Sequence, residues 1–312
     1  MTTVGIVGAG LIGRAWAIVF ARAGCTVRLT DASPDAARAA LGIIGDSLRD
    51  LRGAGLLDEA PETVLARISM AGDLAGAVAD ADYVQENLPE DRDLKRAVFA
   101  AMDGLARPDA ILASSTSAIP GSAFTEGLAG RARCLVAHPV NPPHLVPLVE
   151  LCRTPWTADD VVARARALHE AAGQVPITVQ KEVEGFVLNR LQGALLNEAL
   201  KLVAHGYVSA EDLDKTVRDG LGLRWSFMGP FETIDLNAPQ GVADYGARYG
   251  GFYDRLAAEP LPPCGWRHPV VQAIDAARRA TLPDGRLAER QAWRDRRLMA
   301  LVAHKKAAAA KD

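Results

Sequence analysis

Three polar positions that each follow an apolar run carry side chains suited to acid–base chemistry. They are the S-S-T-S run at residues 114–117, His138 and Glu150. An imidazole titrates near neutral pH, so His138 could take the hydroxyl proton of an alcohol while a hydride leaves the same carbon. Glu150 could bind the other ring nitrogen, fix the tautomer and stabilise the imidazolium. The pattern predicts dehydrogenation of a secondary alcohol with His138 as the base.

A histidine is more often packed or solvated than catalytic, so the neighbours of His138 matter. It lies in the sequence A-H-P-V-N-P-P, in which Asn141 and the prolines predict a rigid loop beside the ligand crevice. His144 is close by and remains a second candidate for the base. Three other histidines fall within helical patterns and are interpreted as structural or solvated: His169, His205 and His304.

Residues 8–13 spell G-A-G-L-I-G between a predicted strand and a predicted helix, the context that a dinucleotide-binding glycine motif requires. Gly8 would allow the tight turn, Gly10 would let a pyrophosphate approach the backbone, and Gly13 would let the helix pack on the strand. The helix N-terminus would offer N–H groups and a partial positive charge to the phosphates. The sequence therefore predicts a dinucleotide site here.

Asp31 ends the second predicted strand, where a carboxylate can accept hydrogen bonds from the adenosine ribose hydroxyls and repel a 2′-phosphate. The next arginine along the chain is Arg38, so the usual partner of a 2′-phosphate is missing. The cofactor predicted from these residues is NAD rather than NADP.

The elements that must position these residues alternate as short apolar runs and longer helical patterns up to about residue 180, which predicts a Rossmann-type, doubly wound, mainly parallel α/β sheet. Beyond residue 185 only helical patterns are convincing, including 186–204, 209–220 and 287–310. We expect an NAD-binding domain over 1–183 and an all-helical domain over 184–312. Strands are predicted at 4–7, 27–30, 67–70, 83–86, 111–114, 134–137, 146–151 and 175–179.

Composition narrows the function classes. The 312 residues are 49% hydrophobic and 23% charged with a formal net charge of −3, which is typical of a globular protein and argues against nucleic-acid binding. No stretch has the apolar length of a membrane helix, and no cleavage signal precedes the first strand pattern, so we expect a cytoplasmic protein. The four cysteines are widely spaced and predict buried thiols rather than a metal site or disulfides.

Six motifs together resemble the 3-hydroxyacyl-CoA dehydrogenase family and, within it, the lambda-crystallin or L-gulonate 3-dehydrogenase branch. The resemblance covers nearly the whole chain. The motifs are G-A-G-L-I-G at 8–13, S-S-T-S at 114–117, H-P-V-N-P-P at 138–143, P-L-V-E at 147–150, G-F-V-L-N-R at 185–190 and G-P-F-E at 229–232.

The resemblance implies roles for individual residues. His138 and Glu150 match the catalytic dyad of the family, and Ser117 and Asn189 match residues that hydrogen-bond the substrate hydroxyl or its developing oxyanion. Further positions match the cofactor contacts of the family or lie beside the cofactor: Leu11, Ile12, Glu90, Lys95, Ser117 and Asn141. The resemblance also implies a homodimer formed through the helical domain.

The substrate stays open between a free hydroxy acid and a CoA thioester. The run at 220–230 keeps G-P-F-E but carries extra residues before it, including Arg224, as in the L-gulonate branch. A guanidinium can bind a free carboxylate through two hydrogen bonds, which a thioester cannot match. The helical pattern at 35–57 contains Arg49 and Arg52 but no lysine, which weakly disfavours a clamp for the phosphates of CoA. The leading hypothesis is therefore oxidation of L-gulonate at C3.

Two alternatives remain. The first is a short-chain 3-hydroxyacyl-CoA dehydrogenase, which would use the same dyad. The second is a non-catalytic NAD-binding structural protein of the crystallin type, against which the complete set Ser117, His138, Glu150 and Asn189 argues, because a structural protein would not need it.

Overall fold

The computed structural model describes residues 1–258 and 261–309. In this part of the chain eight strands form one sheet in the order β3-β2-β1-β4-β5-β6-β7-β8, the order of a doubly wound nucleotide-binding fold extended at one edge. The mainly parallel sheet is therefore confirmed. The strands are β1 (Thr3–Val7), β2 (Thr26–Thr30), β3 (Ile68–Met70), β4 (Tyr83–Glu86), β5 (Ile111–Ser114), β6 (Cys134–Pro139), β7 (Leu148–Arg153) and β8 (Val175–Val179).

The helices before β8 lie within the α/β part of the chain. Helix α1 is buried along most of its length, as its apolar sequence predicts, and α2 has Ser33 as N-cap and Pro34 in its first turn. The predicted helix at 35–57 ends earlier, at Gly53. These helices are α1 (Leu11–Arg22), α2 (Pro34–Gly53), α3 (Pro61–Leu65), α4 (Leu74–Val78), α5 (Arg92–Leu105), α6 (Ser122–Thr125) and α7 (Asp159–Ala171).

Only helical elements follow β8 within the described residues. The predicted helix at 209–220 is longer than expected, because it continues from α9 through a π-helical turn at Thr216–Leu221 into α10. The last predicted helix is present up to Ala309, and position 310 lies outside the described residues. The helices are α8 (Leu188–Ala204), α9 (Ala210–Lys215), α10 (Gly222–Trp225), α11 (Pro230–Asp235), α12 (Gly241–Ala258), α13 (Pro269–Thr281) and α14 (Leu287–Ala309).

Two strands, β7 and β8, run against the other six, and the direction of β7 changes the expected position of the dyad. Strand β7 pairs antiparallel with β6, so His138 and Glu150 are opposite each other in the register. His138 lies within β6 rather than after the strand as the sequence suggested, and Glu150 lies within β7, inside the strand predicted at 146–151. The antiparallel pairing still brings them together, because directly opposite residues of two paired strands lie side by side.

Two compact units make up the chain. The first contains Met1–Arg190 and the segment that begins at Trp293, and the second contains Leu191–Ala292. In the first unit, apolar side chains from both faces of the sheet form two buried clusters, one beneath α1 and α2 and one beneath α4 and α5. Both faces being covered explains why the strand sequences are nearly continuous runs of apolar residues.

The four cysteines are buried free thiols, as predicted. Within residues 1–258 and 261–309, no helix combines the length and the apolar character needed to cross a membrane. In the same part of the chain, no three His, Cys, Asp or Glu side chains gather in a group that could hold a metal ion.

Candidate active site and cofactor site

The glycine loop between β1 and α1 has the geometry that a bound pyrophosphate needs. Gly8 has a φ of 97°, and a Cβ at Gly13 would overlap the carbonyl oxygen of Gly8, so neither position tolerates a side chain. At Gly10 an added Cβ would meet nothing within 4 Å, which leaves open space beside the loop. Because Gly10 is the N-cap of α1 and has no side chain to cap it, the first N–H groups of the helix are free to bind phosphate.

Leu11 is exposed and Ile12 half-buried at the start of α1, where the resemblance expects them to contact the phosphates. Asp31 lies at the end of β2 and is joined to this loop. Its carboxylate accepts hydrogen bonds from the backbone N–H of Ala9 at 2.7 Å and of Ser33 at 2.8 Å. These two bonds hold Asp31 at the edge of the glycine loop, where an adenosine ribose would bind.

Glu90 organises the S-S-T-S loop after β5. Its Oε1 atom accepts hydrogen bonds from the hydroxyl of Thr116 and from the backbone N–H groups of Ser117, Ala118 and Ile119. Burial by itself would raise the pKa of Glu90, but these hydrogen bonds and the charge of Lys95 lower it overall. Glu90 therefore stays ionised and fixes the backbone that presents Ser117.

Lys95 is almost completely buried, and its ammonium lies 3.0 Å from both carboxylate oxygens of Glu86. Its distance to Oε2 of Glu90 is 4.0 Å. A buried ammonium needs such partners because its desolvation is costly. Without the resemblance, Lys95 would have been interpreted as a surface residue at a helix start, and that interpretation would have been wrong.

The dyad forms as the sequence predicts. The Nδ1 atom of His138 lies 2.7 Å from Oε2 of Glu150, and both side chains are buried. The other carboxylate oxygen, Oε1, accepts hydrogen bonds from the backbone N–H groups of Val187 at 2.8 Å and Leu188 at 2.9 Å. Glu150 thus joins the strand pair β6–β7 to the residues at the start of α8.

The ionisation of Glu150 decides the tautomer of the imidazole. Burial raises the pKa of this carboxyl, but the hydrogen bonds from His138, Leu188 and Val187 outweigh it and lower the pKa below the usual value. An ionised Glu150 can only accept, so Nδ1 of His138 carries the proton and Nε2 presents its lone pair. Among the described residues, no group hydrogen-bonds Nε2, which leaves that atom able to accept a proton.

The G-F pair before α8 has strained backbone geometry. Gly185 and Phe186 have φ values of 76° and 49°, and Phe186 is the only residue other than glycine with a positive φ in the described part of the chain. The ring of Phe186 is fully buried, and its centroid lies 5.5 Å from that of His138. Strain of this kind persists where the surroundings impose it, and here it packs an apolar ring against the candidate base.

Ser117 and Asn189 are brought together. The side-chain amide of Asn189 donates a hydrogen bond to the backbone carbonyl of Ser117 at 2.8 Å. Ser117 itself is exposed and Asn189 is half-buried. Asn141, in the loop after β6, is also exposed.

The rival base is unsuitable. Burial, reinforced by the charge of Arg22, lowers the pKa of His144 to about 4, so its affinity for protons is weak near neutral pH. His169 also has no base role, because burial lowers its pKa to about 3. The Nε2 atom of His169 lies 3.0 Å from the hydroxyl of Tyr83.

Arg224 lies in the second unit, within α10. Its side chain is exposed, and no ion pair to it occurs within residues 1–258 and 261–309. The pKa of Tyr245 is raised, mainly by its hydrogen bond with Tyr253. The positive charge of Arg224 acts to lower the same pKa. Arg224 is therefore an exposed cation without an ion-pair partner among the described residues, and its charge acts on Tyr245.

Sequence reasoning missed several polar residues beneath the site. Glu86 was not singled out although it binds Lys95, and Thr116 was not distinguished from the serines around it. Gln85 was also missed although it is fully buried in β4, directly after the apolar Val84. A glutamine in such a run was the available signal, because a buried amide must be hydrogen-bonded.

These features define a class of protein: an NAD-dependent dehydrogenase that acts on a CH–OH group. A model of the 3-hydroxyacyl-CoA dehydrogenase NAD binding domain matches residues 3–183, and a model of the C-terminal domain of the same enzymes matches residues 185–280. The chain belongs to the 3-hydroxyacyl-CoA dehydrogenase family.

Individual relatives refine this assignment. The lambda-crystallin homolog of Bos taurus is 44% identical over 303 residues, which cover 96% of this chain and 94% of that protein. The L-carnitine dehydrogenase of Streptomyces coelicolor is 39% identical over 263 residues, which cover 83% of this chain and 82% of the relative. The sequence therefore lies near the lambda-crystallin branch, as the motifs predicted.

A solved structure supports the same fold. The crystal structure of 5-formyl-3-hydroxy-2-methylpyridine 4-carboxylic acid 5-dehydrogenase, described as an NAD+-dependent dismutase, matches with a TM-score of 0.82 and 30% sequence identity. The match covers 98% of each chain. Both the α/β unit and the helical unit thus have counterparts in one NAD-dependent enzyme.

Proposed function

We propose that the protein oxidises the 3-hydroxyl group of a small free hydroxy acid with NAD, and that L-gulonate, converted to 3-dehydro-L-gulonate, is the leading substrate. The observation that carries the chemistry is the contact of 2.7 Å between Nδ1 of His138 and Glu150. It leaves Nε2 as the proton acceptor, which is what alcohol oxidation requires.

In this mechanism His138 accepts the hydroxyl proton at Nε2 while Glu150 stabilises the imidazolium that results. Ser117 and Asn189 hold the substrate oxygen, and the bond between Asn189 and the Ser117 backbone supports a shared position for them. When bound, NAD supplies the carbon that receives the hydride. The buried surroundings of His138 favour this transfer because they keep bulk water from the imidazole.

The cofactor residues are assigned by the same reasoning. The pyrophosphate would bind at the glycine loop, which contains Gly8, Gly10 and Gly13, with Leu11 and Ile12 beside it. Asp31 would bind the adenosine ribose. For the nicotinamide half of NAD, the fixed loop around Glu90 supports the expected contacts: Glu90, Lys95, Ser117 and Asn141.

Arg224 is proposed as the residue that binds the substrate carboxylate. The π-helical turn at Thr216–Leu221 accommodates the extra residues before it, and Gly222 donates the hydrogen bond that closes this turn to the carbonyl of Val217. Turns of this type occur often at functional sites. The alternative role for Arg224 is a surface ion pair, and the absence of such a pair within the described residues supports a ligand role instead.

Two further observations favour a free acid over a CoA thioester. Arg49 pairs with Asp46, and Arg52 donates to the carbonyls of Leu57 and Asp58, so both of these cations already have partners. The third cation of α2, Arg38, pairs with Asp35. Two of the relatives are also named for small acids, L-carnitine and a pyridine carboxylic acid.

A short-chain 3-hydroxyacyl-CoA is the second candidate substrate, and the family to which the chain belongs favours it. A purely structural role is less well supported, because the hydrogen-bonded dyad would serve no purpose in it. A substrate panel with NAD separates these possibilities by the rate of NADH formation.

The panel compares L-gulonate, other hydroxy acids and 3-hydroxybutyryl-CoA at several concentrations. We expect the highest kcat/KM for a free hydroxy acid. Faster turnover of 3-hydroxybutyryl-CoA than of every free acid would contradict the proposal. Tight NAD binding without turnover of any compound would favour the structural role.

We also propose that the protein is a homodimer that associates through its helical unit. Large apolar side chains of this unit are exposed, among them Phe227, Phe231 and Leu236 at 67%, 77% and 68%. Apolar surface of this extent marks interaction sites. Light scattering coupled to size-exclusion chromatography tests the proposal, which a monomeric mass would overturn.

A further inference from the structure

A polar junction beneath the site centres on the hydroxyl of the half-buried Ser115. Its Oγ atom accepts hydrogen bonds from the indole N–H of Trp16 at 3.0 Å and from the side-chain amide of Gln85 at 2.7 Å. The same hydroxyl donates to Oδ1 of Asn87 at 2.7 Å. Trp16 and Gln85 are fully buried, so the indole N–H of Trp16 and one N–H of the Gln85 amide depend on this oxygen, while the other amide N–H donates to the carbonyl of Ala137.

The direction of every bond in this junction is determined by the groups involved. The indole of Trp16 can only donate, and the amide of Gln85 donates to both Ser115 and the carbonyl of Ala137. The Gln85 carbonyl then accepts from Tyr83, whose hydroxyl receives the N–H of the neutral His169. A junction without freedom to reverse its bonds holds its members in one arrangement.

One arm of the junction reaches the strand that carries the candidate base. The ladder between β5 and β6 ends with the pair Ser114 and Val136. Beyond that pair, the Gln85 side chain extends from β4 past the end of β5 and donates to the carbonyl of Ala137 at 3.1 Å. That carbonyl belongs to the peptide leading into His138, so Gln85 fixes the backbone from which the imidazole extends.

The other arms reach the cofactor loop. Asn87 donates from its backbone N–H and its side-chain amide to the carbonyl of Val7, at 2.8 and 3.3 Å. Val7 is the last residue of β1 and directly precedes Gly8. Trp16 belongs to α1, the helix whose N-terminus faces the proposed pyrophosphate site. The hydroxyl of Ser115 therefore links the cofactor loop, the cofactor helix and the strand of His138.

We propose that Ser115 is a positioning residue that, through Gln85, sets the place of His138 relative to the cofactor loop. The inference rests on the proposed role of His138 as the base. Removing the hydroxyl leaves two buried donors without an acceptor, so the strand end and the loop can shift independently. Displacements of about 1 Å can lower reaction rates by about 100-fold.

The test compares Ser115→Ala with a matched loss of a buried hydroxyl elsewhere. Thr157 donates to the carbonyl of Cys134 at 2.6 Å, at the opposite end of the same strand β6, so Thr157→Val is the control. Four variants are assayed with the best substrate of the panel. They are Ser115→Ala, Thr157→Val, the conservative Ser115→Thr and the base variant His138→Gln. The readouts are kcat, the Kd for NAD, the melting temperature and the primary deuterium isotope effect on kcat.

For Ser115→Ala we expect kcat to fall by about tenfold or more and the isotope effect to rise, because hydride transfer becomes rate-limiting. The Kd for NAD should change by less than about threefold. This is a small effect, since a tenfold change in Kd corresponds to about 1.4 kcal/mol. Thr157→Val should lose melting temperature but keep kcat and its isotope effect, and Ser115→Thr should recover much of the activity.

Equal kcat for Ser115→Ala and Thr157→Val, with similar losses of melting temperature, would overturn the inference. If Ser115→Ala does not fold, Gln85→Met removes the same arm toward Ala137 and must show the same rise in isotope effect. Full activity of His138→Gln would instead refute the proposed base, so the two failures are distinguishable.

Discussion

The two units of the chain differ in how their polar groups are satisfied. In the first unit, Glu150, Glu90 and Ser115 are each held by several hydrogen bonds from other residues of the site. In the second unit, Arg224 is exposed, and most of the exposed large apolar side chains of the described residues belong to this unit. The proposed base and its partners are thus held by hydrogen bonds within the first unit, whereas Arg224, the residue proposed to bind the substrate, is exposed in the second.

The largest expected effect breaks the preorganised side of this comparison. His138→Gln removes the proton acceptor but keeps the size and polarity of the side chain, so kcat should fall by roughly 1,000-fold. The Kd for NAD, measured by fluorescence titration, should stay nearly unchanged because the glycine loop is intact. Loss of NAD binding would show that His138 has a structural role instead.

A second prediction concerns the recognition side. Arg224→Ala should raise KM for a free hydroxy acid by about 10- to 100-fold, the loss expected for a charge-assisted hydrogen bond. Its effect on 3-hydroxybutyryl-CoA should be much smaller, since a thioester carries no charge at that position. Steady-state kinetics with both substrates provide the comparison, and Arg218→Ala, which removes a cation already paired with Asp219, is the control. Equal increases for acid and thioester would refute a carboxylate-binding role.

The smallest effect concerns stability and the buried histidine of the first unit. The pKa of His169 is about 3 in the folded protein, while an unfolded histidine titrates near 6.5. As the pH falls below 6.5, the unfolded chain takes up a proton that the folded chain cannot, so the free energy of unfolding decreases. The contribution of His169 to the slope of the free energy of unfolding against pH approaches about 1.4 kcal/mol per pH unit.

Urea denaturation between pH 6.5 and 5 measures this slope, in a range above the titration of most carboxyl groups. His169→Phe should have a shallower slope than the wild type, although it loses the contact with Tyr83. His144, whose pKa is also lowered, contributes in the same direction and remains in both proteins. Identical slopes would contradict the burial of a neutral His169.

Much of the fold could be predicted because its signals are local. Each strand is a short apolar run, and the glycine loop needs only six adjacent residues, so its turn and its helix start follow from the sequence. The direction of β7 could not be predicted, because a short apolar run is the same in either direction. The ends of α2 and α10 also differed, since capping and a π-helical turn depend on neighbours outside the pattern.

The candidate site was predictable only in part for the same reason. His138 and Glu150 have side chains suited to acid–base catalysis, and the family resemblance identified them as a pair. Gln85 and Ser115 contact residues far away in sequence, such as Ala137 and Trp16, so no spacing rule could find them. Without the resemblance, Lys95 would be interpreted as a surface residue, because its partner Glu86 lies in a strand rather than on its own helix.

A crystal structure of the protein with NAD and a bound hydroxy acid tests the central claim most directly. We expect Nε2 of His138 to lie within about 2.6 to 3.2 Å of the substrate hydroxyl, with the carbinol carbon against the nicotinamide ring. Glu150 should still hold Nδ1. A substrate hydroxyl bound to another group, with Nε2 of His138 beyond the reach of even one bridging water, would contradict the account.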